Sequence, residues 1–326
     1  MRICVFGAGA IGGYLAVELA LAGNEVCVIV RGAHLQAIQD HGLRLRIGGE
    51  EKTARVPASD QPADFTAQDV VICALKAHQA WQESERFAPL LGPQTSVVTA
   101  MNGIPWWYFH RSGDALEGYH LESVDRGARQ WNAIGPARAI GCVVDPACAV
   151  VAPGVIAHHE FKRFTLGEPD GSLSERVQAL SQTLVQAGFE APVRDNIRWN
   201  VWLKLWGNAC FNPISLLTLA TLDRITSEPA LRAVCTAVMH ECRNVAAALR
   251  IEIPEAMIQR RLDVAGLATG HKMSMLQDLE RGRSIEVDAL VAAVHELGRL
   301  THVPTPALDI LLALARERGR QAGIYR

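Results

Sequence analysis

The chain lacks the features that mark several large classes of protein. Among its 326 residues no apolar run reaches the ~18 residues that a membrane-spanning helix needs. The net charge at pH 7 is only -2, with both signs mixed along the chain, so no surface for nucleic acid or membrane is indicated. The N-terminus enters a strand-like run at once, without the longer apolar core of a signal peptide, and we therefore expect a cytoplasmic protein.

Disulfide and metal chemistry also find little support in the sequence. None of the eight cysteines forms a C-x-x-C pair and most lie in apolar segments, so we interpret them as reduced core residues. His158, His159 and Glu160 come closest to a cluster of metal ligands. However, consecutive residues of a strand point to opposite faces. We therefore predict that the protein binds no metal.

The first half of the chain alternates short apolar runs with helical stretches. At ~150 residues per domain the length indicates about two domains. Alternation of this kind is typical of an α/β domain, in which helices cover a parallel sheet. We predict helices at Ile11–Ala22 and Ser174–Gly188. Strands or β-rich runs are predicted at Arg2–Phe6, Glu25–Val30, Asp69–Leu75, Ser96–Ala100, Ala139–Val151, Gly154–His158 and Arg163–Leu166, with Glu190–Val193 as a candidate last strand.

From about Asn196 onward the apolar residues recur at helical spacing. Prolines, Pro213 among them, are expected where a missing N–H does least harm to a helix. We place a domain boundary after residue 195, with a dinucleotide-binding α/β domain at 1–195 and an all-helical domain at 196–326. The predicted helices of the second domain are Trp199–Cys210, Pro229–Leu249, Met273–Arg281, Val287–Thr301 and Pro306–Ala322.

A glycine-rich motif follows the first predicted strand and opens the first helix. It reads Gly7-Ala8-Gly9-Ala10-Ile11-Gly12, a G-x-G-x-x-G. The first glycine permits a tight turn, the second lets the backbone approach a pyrophosphate, and the third lets helix and strand pack closely. The helix N-terminus then offers free N–H groups and the positive end of its dipole to the phosphates. This context predicts a dinucleotide site.

The end of the second strand indicates which dinucleotide binds. NAD-binding domains usually carry Asp or Glu there to hold the ribose 2′-hydroxyl. In this chain the strand ends at Val30 and continues into Arg31. An arginine can hold a 2′-phosphate through charge-assisted hydrogen bonds, so we predict NADP. The alternative is an arginine that only faces solvent.

Polar residues in the helical half are candidates for the chemistry. Lys204, Asn208 and Asn212 recur at i, i+4 and i+8 and so share one helix face among tryptophans and leucines. Desolvation would lower the pKa of such a lysine and make it a better proton donor near neutral pH. The alternative is a lysine whose stem covers apolar surface, beside two helix-capping asparagines. Spacing alone favours neither interpretation.

Glu286 is the second candidate, because it stands between apolar neighbours near the predicted start of a helix. A carboxylate there could orient a cationic lysine and accept hydrogen bonds from substrate and ribose hydroxyls. The alternative role is a negative charge that complements the helix dipole.

Five segments together carry a resemblance to a known family. They are GAGAIGG from residue 7, ALKAHQ at 74–79, MNGI at 101–104, KLWGNACFNPIS at 204–215 and SMLQDLERGRSIEVD at 274–288. In this order and at this spacing the chain resembles the 2-dehydropantoate 2-reductases (ketopantoate reductases) along nearly its whole length. The resemblance implies a Rossmann-type domain followed by an all-helical domain, with the active site in the cleft between them. It also implies NADPH-dependent reduction of ketopantoate to pantoate, a step of the pantothenate and coenzyme A pathway.

The resemblance further implies a role for each matching residue. Lys204 would donate a proton to the ketone oxygen, while Asn208 and Asn212 would hold the lysine and the substrate. Asn102 would contact the nicotinamide ribose and the substrate. Ser274 would bind the substrate carboxylate, and Glu286 the cofactor and the substrate hydroxyl. The residues implied on the adenosine and pyrophosphate side are Gly7, Ala8, Gly9, Ala10, Ile11, Gly12, Arg31 and Lys76, with Gln79 nearby.

Three departures from the family pattern bear on the substrate. His271 replaces an asparagine that the family places three residues before the serine. Another substrate-side asparagine is replaced within 219–223, and Trp106 and Trp107 add aromatic bulk after the Asn102 loop. A reductase of another branched or aromatic 2-keto acid is therefore the main alternative.

Two other classes stay open as alternatives. A non-catalytic NADP-binding sensor would have no reason to carry both Lys204 and Glu286. A β-hydroxyacid dehydrogenase shares the two-domain plan but lacks the N-P-I-S and S-M-L-Q-D segments. For partners we expect a small 2-keto acid and a homodimer formed through the helical domain, without nucleic acid or membrane.

Overall fold

The computed structural model describes residues 1–325 and divides into two compact units. One unit contains Met1–Met101 and Pro105–Ile197. The other contains Asn102–Ile104 and the chain from Arg198 onward. The predicted boundary lies after residue 195, and the second unit also includes a three-residue loop that the first half of the chain supplies.

A seven-stranded sheet forms the centre of the first unit. Its order is β11-β8-β7-β6-β1-β2-β5, and every neighbouring pair is parallel except β11 with β8. Residues 3–6 of the first strand are all buried, as expected for a strand covered on both faces. This confirms the predicted α/β class. The strands are β1 (Arg2–Phe6), β2 (Glu25–Ile29), β3 (Leu43–Ile47), β4 (Glu50–Ala54), β5 (Ala58–Ser59), β6 (Gln68–Cys73), β7 (Leu91–Thr99), β8 (Ala139–Val144), β9 (Ala147–Ala152), β10 (Val155–Glu160) and β11 (Phe164–Gly167).

A second sheet of four strands, in the order β4-β3-β10-β9, was not predicted as a separate sheet. Its β3–β4 hairpin is rich in charged residues and so resembles a loop in sequence, yet Leu43 and Leu45 alternate onto a buried face. The single β-rich run predicted at Ala139–Val151 is two strands, because the chain turns at Asp145-Pro146. The candidate strand Glu190–Val193 forms only isolated bridges from Glu190 and Val193.

Helices complete the first unit and form the second. The first unit has α1 (Ala10–Leu21), α2 (Gly32–His41), α3 (Ala77–Ala80), α4 (Arg129–Ile134) and α5 (Glu175–Gln186). From the junction onward the chain forms α6 (Ile197–Thr218), α7 (Leu222–Ser227), α8 (Pro229–Ala248), α9 (Ala256–Gly266), α10 (Ser274–Glu280), α11 (Ala293–Leu300) and α12 (Pro306–Gln321). The predicted all-helical second domain is thus confirmed.

Two helices differ from their predicted course. Pro213 does not lie at a helix boundary, since α6 continues through it to Thr218. Phe211, Ile214 and Leu216 are buried around this point, so packing outweighs the cost of the missing N–H. The helix predicted at Val287–Thr301 begins with a π-helical turn, Asp288–Ala292. Within residues 1–325, no helix is both long enough and apolar enough to cross a membrane.

Candidate functional site

The glycine motif forms a tight turn whose shape depends on missing side chains. Gly7 follows β1 with a φ of +100°, a conformation that favours glycine. A Cβ placed on Gly12 would lie 2.0 Å from the Gly7 carbonyl oxygen, and one on Gly13 would lie 2.6 Å from Ile156 on β10. Around Gly9, by contrast, no atom of residues 1–325 other than its chain neighbours lies within 4 Å of such a Cβ. Gly12 and Gly13 therefore permit close packing, while Gly9 borders open space.

The open space lies at the N-terminus of α1. Gly9 is the N-cap, no side chain caps the helix, and its first turn carries no acidic residue. Ala10 and Ile11 form that first turn, and Ala8 is buried behind it. Backbone N–H groups at an uncapped helix N-terminus bind anions well, because the helix dipole also favours negative charge. The loop 7–12 thus fits a pyrophosphate.

The other predicted cofactor residues follow neighbouring strands. The parallel strands β7, β6, β1 and β2 are adjacent in that order. Their carboxyl ends lead to Asn102, Lys76, Gly7 and Arg31 respectively. Ligands of open α/β sheets bind at such carboxyl ends. Lys76 is half-buried just before α3, which carries Gln79.

Arg31 is the most accessible of these residues, with its side chain 74% exposed. Its Nη1 lies 3.7 Å from Oε1 of Glu83, while the other oxygen of Glu83 accepts a hydrogen bond from Arg86 at 2.5 Å. Exposed ion pairs of this length contribute little. The Arg31 guanidinium can therefore exchange its Glu83 contact for a phosphate.

In the second unit, α6 places the predicted catalytic face on a single helix. Lys204 and Asn208 are half-buried and Asn212 is fully buried. The side-chain oxygen of Asn212 accepts hydrogen bonds from the Ser274 hydroxyl at 3.0 Å and from the Met275 N–H at 3.1 Å. Asn212 thus anchors the first turn of α10, which carries the exposed Ser274.

The Asn212 amide nitrogen is buried and has no hydrogen-bond partner within residues 1–325. Buried polar groups are normally satisfied, so this donor needs an acceptor that the described part of the chain does not supply. A bound oxyanion or water would meet that need. This is the property expected of a substrate-side residue.

The remaining two predicted residues, Asn102 and Glu286, each lie close in sequence to a contact at the π-helical turn. Glu286 is half-buried and stands two residues before the turn begins at Asp288. The carbonyl of Ala289, within the turn, accepts a hydrogen bond from the Ile104 N–H at 3.2 Å. A Cβ on Gly103 would lie 2.4 Å from the same carbonyl oxygen. The loop that carries Asn102 therefore packs directly on the element that begins beside Glu286.

Sequence reasoning missed a polar cluster that supports this turn. One carboxylate oxygen of Asp288 accepts hydrogen bonds from Arg316 at 2.7 Å and from the Tyr325 hydroxyl at 3.0 Å. Burial, and then the charge of Asp288, raise the pKa of Tyr325, so the phenol stays protonated and donates. The Ile285 N–H donates to the Ile324 carbonyl at 3.2 Å. Bonds across such sequence separations leave no periodic signal in the sequence.

The predicted site residues thus divide between the two units. The glycine loop, Arg31 and Lys76 belong to the first unit. The second unit holds Asn102, Lys204, Asn208, Asn212, Ser274 and Glu286. Asn102 is therefore in the same unit as the predicted catalytic face, although it follows a strand of the first unit.

Two of the departures from the family pattern are neighbours in the fold. The Leu222 N–H donates to the carbonyl of His271 at 2.9 Å, and Asp223 accepts from the Gly270 N–H at 3.1 Å. The segment 219–223 and the segment that contains His271 therefore lie directly against each other. Trp106 and Trp107 are buried in the first unit, where Trp106 packs edge-on against Trp131 and Trp107 lies against Gly141 of β8. Core packing accounts for their bulk.

Comparison with known proteins gives the family. Residues 3–171 match the sequence model described as ketopantoate reductase PanE/ApbA, and residues 196–319 match the one for its C-terminal part. The chain belongs to the ketopantoate reductase family. It is therefore an oxidoreductase that acts on a CH–OH or keto group, in a family that depends on pyridine nucleotides.

Individual relatives are similar to this chain over its full length. A 2-dehydropantoate 2-reductase of Mesorhizobium japonicum is 52% identical over 326 residues, which cover 100% of both chains. A solved structure of a protein assigned as a ketopantoate reductase, from Ralstonia solanacearum, has a TM-score of 0.95 at 44% identity and covers 99% of each chain. D-mandelate dehydrogenase, solved with NADH and anilino(oxo)acetate, has a TM-score of 0.83 over 99% of this chain and 100% of its own. Its 22% identity shows the shared fold alone.

Within residues 1–325, no group of three or more His, Cys, Asp or Glu side chains is arranged to hold a metal ion. His158 bonds instead to the Phe161 carbonyl at 2.5 Å and packs on Tyr14.

Proposed function

We propose that this chain reduces ketopantoate to pantoate with NADPH. The observation that carries the proposal is the polar face of α6, where Lys204 and Asn208 lead to Asn212, which in turn bonds to Ser274. They place a proton donor on α6 and ligands for a carboxylate on α6 and on the first turn of α10, as reduction of a 2-keto acid requires. The full-length relative from Mesorhizobium japonicum supports ketopantoate as the substrate.

The reaction needs a hydride at the keto carbon and a proton at its oxygen. Bound NADPH supplies the hydride. Lys204 donates the proton to the developing alkoxide from its ammonium group, and Asn208 orients that group and the ketone. Ser274 binds the substrate carboxylate together with the Asn212 amide nitrogen, which is left with an unused hydrogen bond. Glu286 and Asn102 accept and donate hydrogen bonds at the substrate hydroxyl and the nicotinamide ribose.

The cofactor end of the site follows from the first unit. The uncapped N-terminus of α1 and the open space at Gly9 receive the pyrophosphate. Arg31 and Lys76 flank the 2′-phosphate of the adenosine, with Gln79 beside them.

We also infer a cytoplasmic protein that forms a homodimer through its helical unit.

Arg31 gives the first test of this cofactor assignment. Replacing Arg31 with alanine removes the charge-assisted bonds to the 2′-phosphate, each of which contributes about 1.5–3 kcal/mol. We expect KM for NADPH to rise by about tenfold or more, while KM for NADH stays almost unchanged. Steady-state kinetics with both cofactors measures this.

A matched control is Arg46→Ala, which removes an exposed arginine of β3 that pairs with Glu51. It should leave both KM values unchanged. The role of Arg31 in binding the 2′-phosphate would be refuted by a wild-type enzyme that prefers NADH. It would also be refuted if Arg31→Ala raised KM for NADPH and KM for NADH equally.

A second candidate function is reduction of another branched or aromatic 2-keto acid. The departures at His271 and within 219–223 favour it, because the two segments are in contact and the family places substrate-side asparagines in both. Hydride transfer and the role of Lys204 would be the same in both cases. Only the pocket that binds the side group of the 2-keto acid would differ.

A substrate panel distinguishes the two candidates. We expect kcat/KM with NADPH to favour ketopantoate over 2-ketoisovalerate by about 100-fold or more. The reason is that a site built to bond the terminal hydroxyl leaves buried polar groups unpaired when that hydroxyl is missing. Phenylpyruvate and benzoylformate complete the panel. A higher kcat/KM for either aromatic acid would overturn ketopantoate as the substrate and leave the reductase mechanism in place.

A further inference from the structure

His34, on α2, is bonded at both ring nitrogens to backbone groups from distant parts of the first unit. Its Nε2 lies 2.8 Å from the carbonyl oxygen of Ala8, and its Nδ1 lies 2.8 Å from the backbone nitrogen of Gly154. A backbone N–H can only donate, so Nδ1 must accept. In a neutral imidazole the proton is then on Nε2, which donates to Ala8.

The bond to Ala8 acts on the phosphate-binding loop itself. A trans peptide is planar, with its C=O and the next N–H pointing in opposite directions. A carbonyl of Ala8 held toward His34 therefore directs the Gly9 N–H to the opposite side. Gly9 is the N-cap of α1 and borders the open space assigned to the pyrophosphate. The orientation of this one peptide decides whether its donor can serve an anion.

The bond to Gly154 anchors His34 from behind. Gly154 lies in the turn between β9 and β10, and its carbonyl accepts a hydrogen bond from the Arg44 N–H of β3 at 2.8 Å. A Cβ on Gly154 would lie 3.1 Å from Ala37 of α2, so helix and turn are closely packed. The four-stranded sheet thereby fixes the ring that holds the loop.

We propose that His34 is a positioning residue that holds the Ala8–Gly9 peptide in the orientation needed to bind the dinucleotide pyrophosphate. This inference rests on the proposed use of NADPH. His34 acts through Ala8 and the geometry of the loop, so its loss should weaken cofactor binding more than turnover at saturation.

The first test needs no cofactor. Two-bond ¹H–¹⁵N spectra of histidine-labelled protein near neutral pH separate the two tautomers, because a protonated and an unprotonated ring nitrogen differ widely in ¹⁵N shift. We expect His34 to carry its proton on Nε2, and His34→Gln identifies its signals by their loss. A proton on Nδ1 would contradict the bond from Gly154 and overturn the proposal.

The second test measures NADPH affinity by the change in nicotinamide fluorescence on binding. His34→Phe keeps a flat ring but neither bond, and we expect the Kd for NADPH to rise about tenfold. His34→Gln can donate from its amide nitrogen and accept at its oxygen, so it should restore the Kd to within about threefold of the wild type. At saturating NADPH we expect kcat of both variants to change by less than about threefold.

The control is His41→Phe, which alters an exposed histidine at the end of the same helix. It should leave the Kd and kcat unchanged. An unchanged Kd in His34→Phe would overturn the proposal, and so would a Kd in His34→Gln as poor as in His34→Phe. A wild-type protein that binds no NADPH would instead refute the proposed function, so the two failures are distinguishable.

Discussion

Lys204→Ala should lower kcat by about 10²–10⁴-fold, because general acid assistance contributes on that order and no neighbouring lysine on α6 can replace it. NADPH binding should stay nearly unchanged, since Lys204 belongs to the helical unit and the phosphate-binding loop to the other. Single-turnover rates of NADPH oxidation, with a separate binding titration, measure the two effects independently.

Lys162→Ala provides the control for this experiment, because it removes an exposed lysine between β10 and β11. It should change neither the rate of NADPH oxidation nor the affinity for NADPH. If Lys204→Ala lost cofactor affinity in the same proportion as kcat, the lysine would have a structural role. In that case proton donation would have to come from another group.

The elements that the sequence predicted well have a local signal. β1 and β2 are short runs of apolar and β-branched residues, and α8 and α12 begin at Pro229 and Pro306 as expected for prolines in a first helical turn. The sequence did not predict the hairpin β3–β4 or helix α2. Both are rich in charged and polar residues and bury only a few side chains, so their apolar pattern is weak. The helix predicted at Trp199–Cys210 was too short, because proline usually ends a helix. In α6 the burial of the residues around Pro213 outweighs that local preference.

The candidate site divides in the same way. The glycine loop and the face of Lys204 and Asn208 each lie within a single segment, so residue spacing could mark them as candidates. The contacts that orient them do not. Asn212 meets Ser274 across 62 residues, and His34 meets Gly154 across 120. Each of these contacts depends on how strands and helices are packed, and periodicity within a segment carries no information on that.

Substituting alanine for Gly12 or Gly9 should also have a large effect on NADPH affinity. The two glycines are needed for different reasons. A Cβ at Gly12 would lie 2.0 Å from the Gly7 carbonyl and 2.9 Å from a methyl group of Val5. The backbone of Gly12→Ala must shift, and overpacking typically costs ~1–3 kcal/mol. We expect a Tm lower by several degrees. Because the loop itself moves, NADPH affinity should also fall by about 100-fold or more.

Gly9→Ala is the matched variant, since a Cβ there meets no atom of the described residues within 4 Å and Gly9 does not have a positive φ. The free protein should therefore keep its Tm. If the pyrophosphate occupies the space at Gly9, the added methyl group stands where the phosphate must approach, and NADPH affinity should fall about tenfold or more. Thermal unfolding with and without NADPH separates the two variants, because bound ligand raises Tm only where binding persists. Unchanged NADPH affinity in Gly9→Ala would mean that the pyrophosphate does not approach this part of the loop.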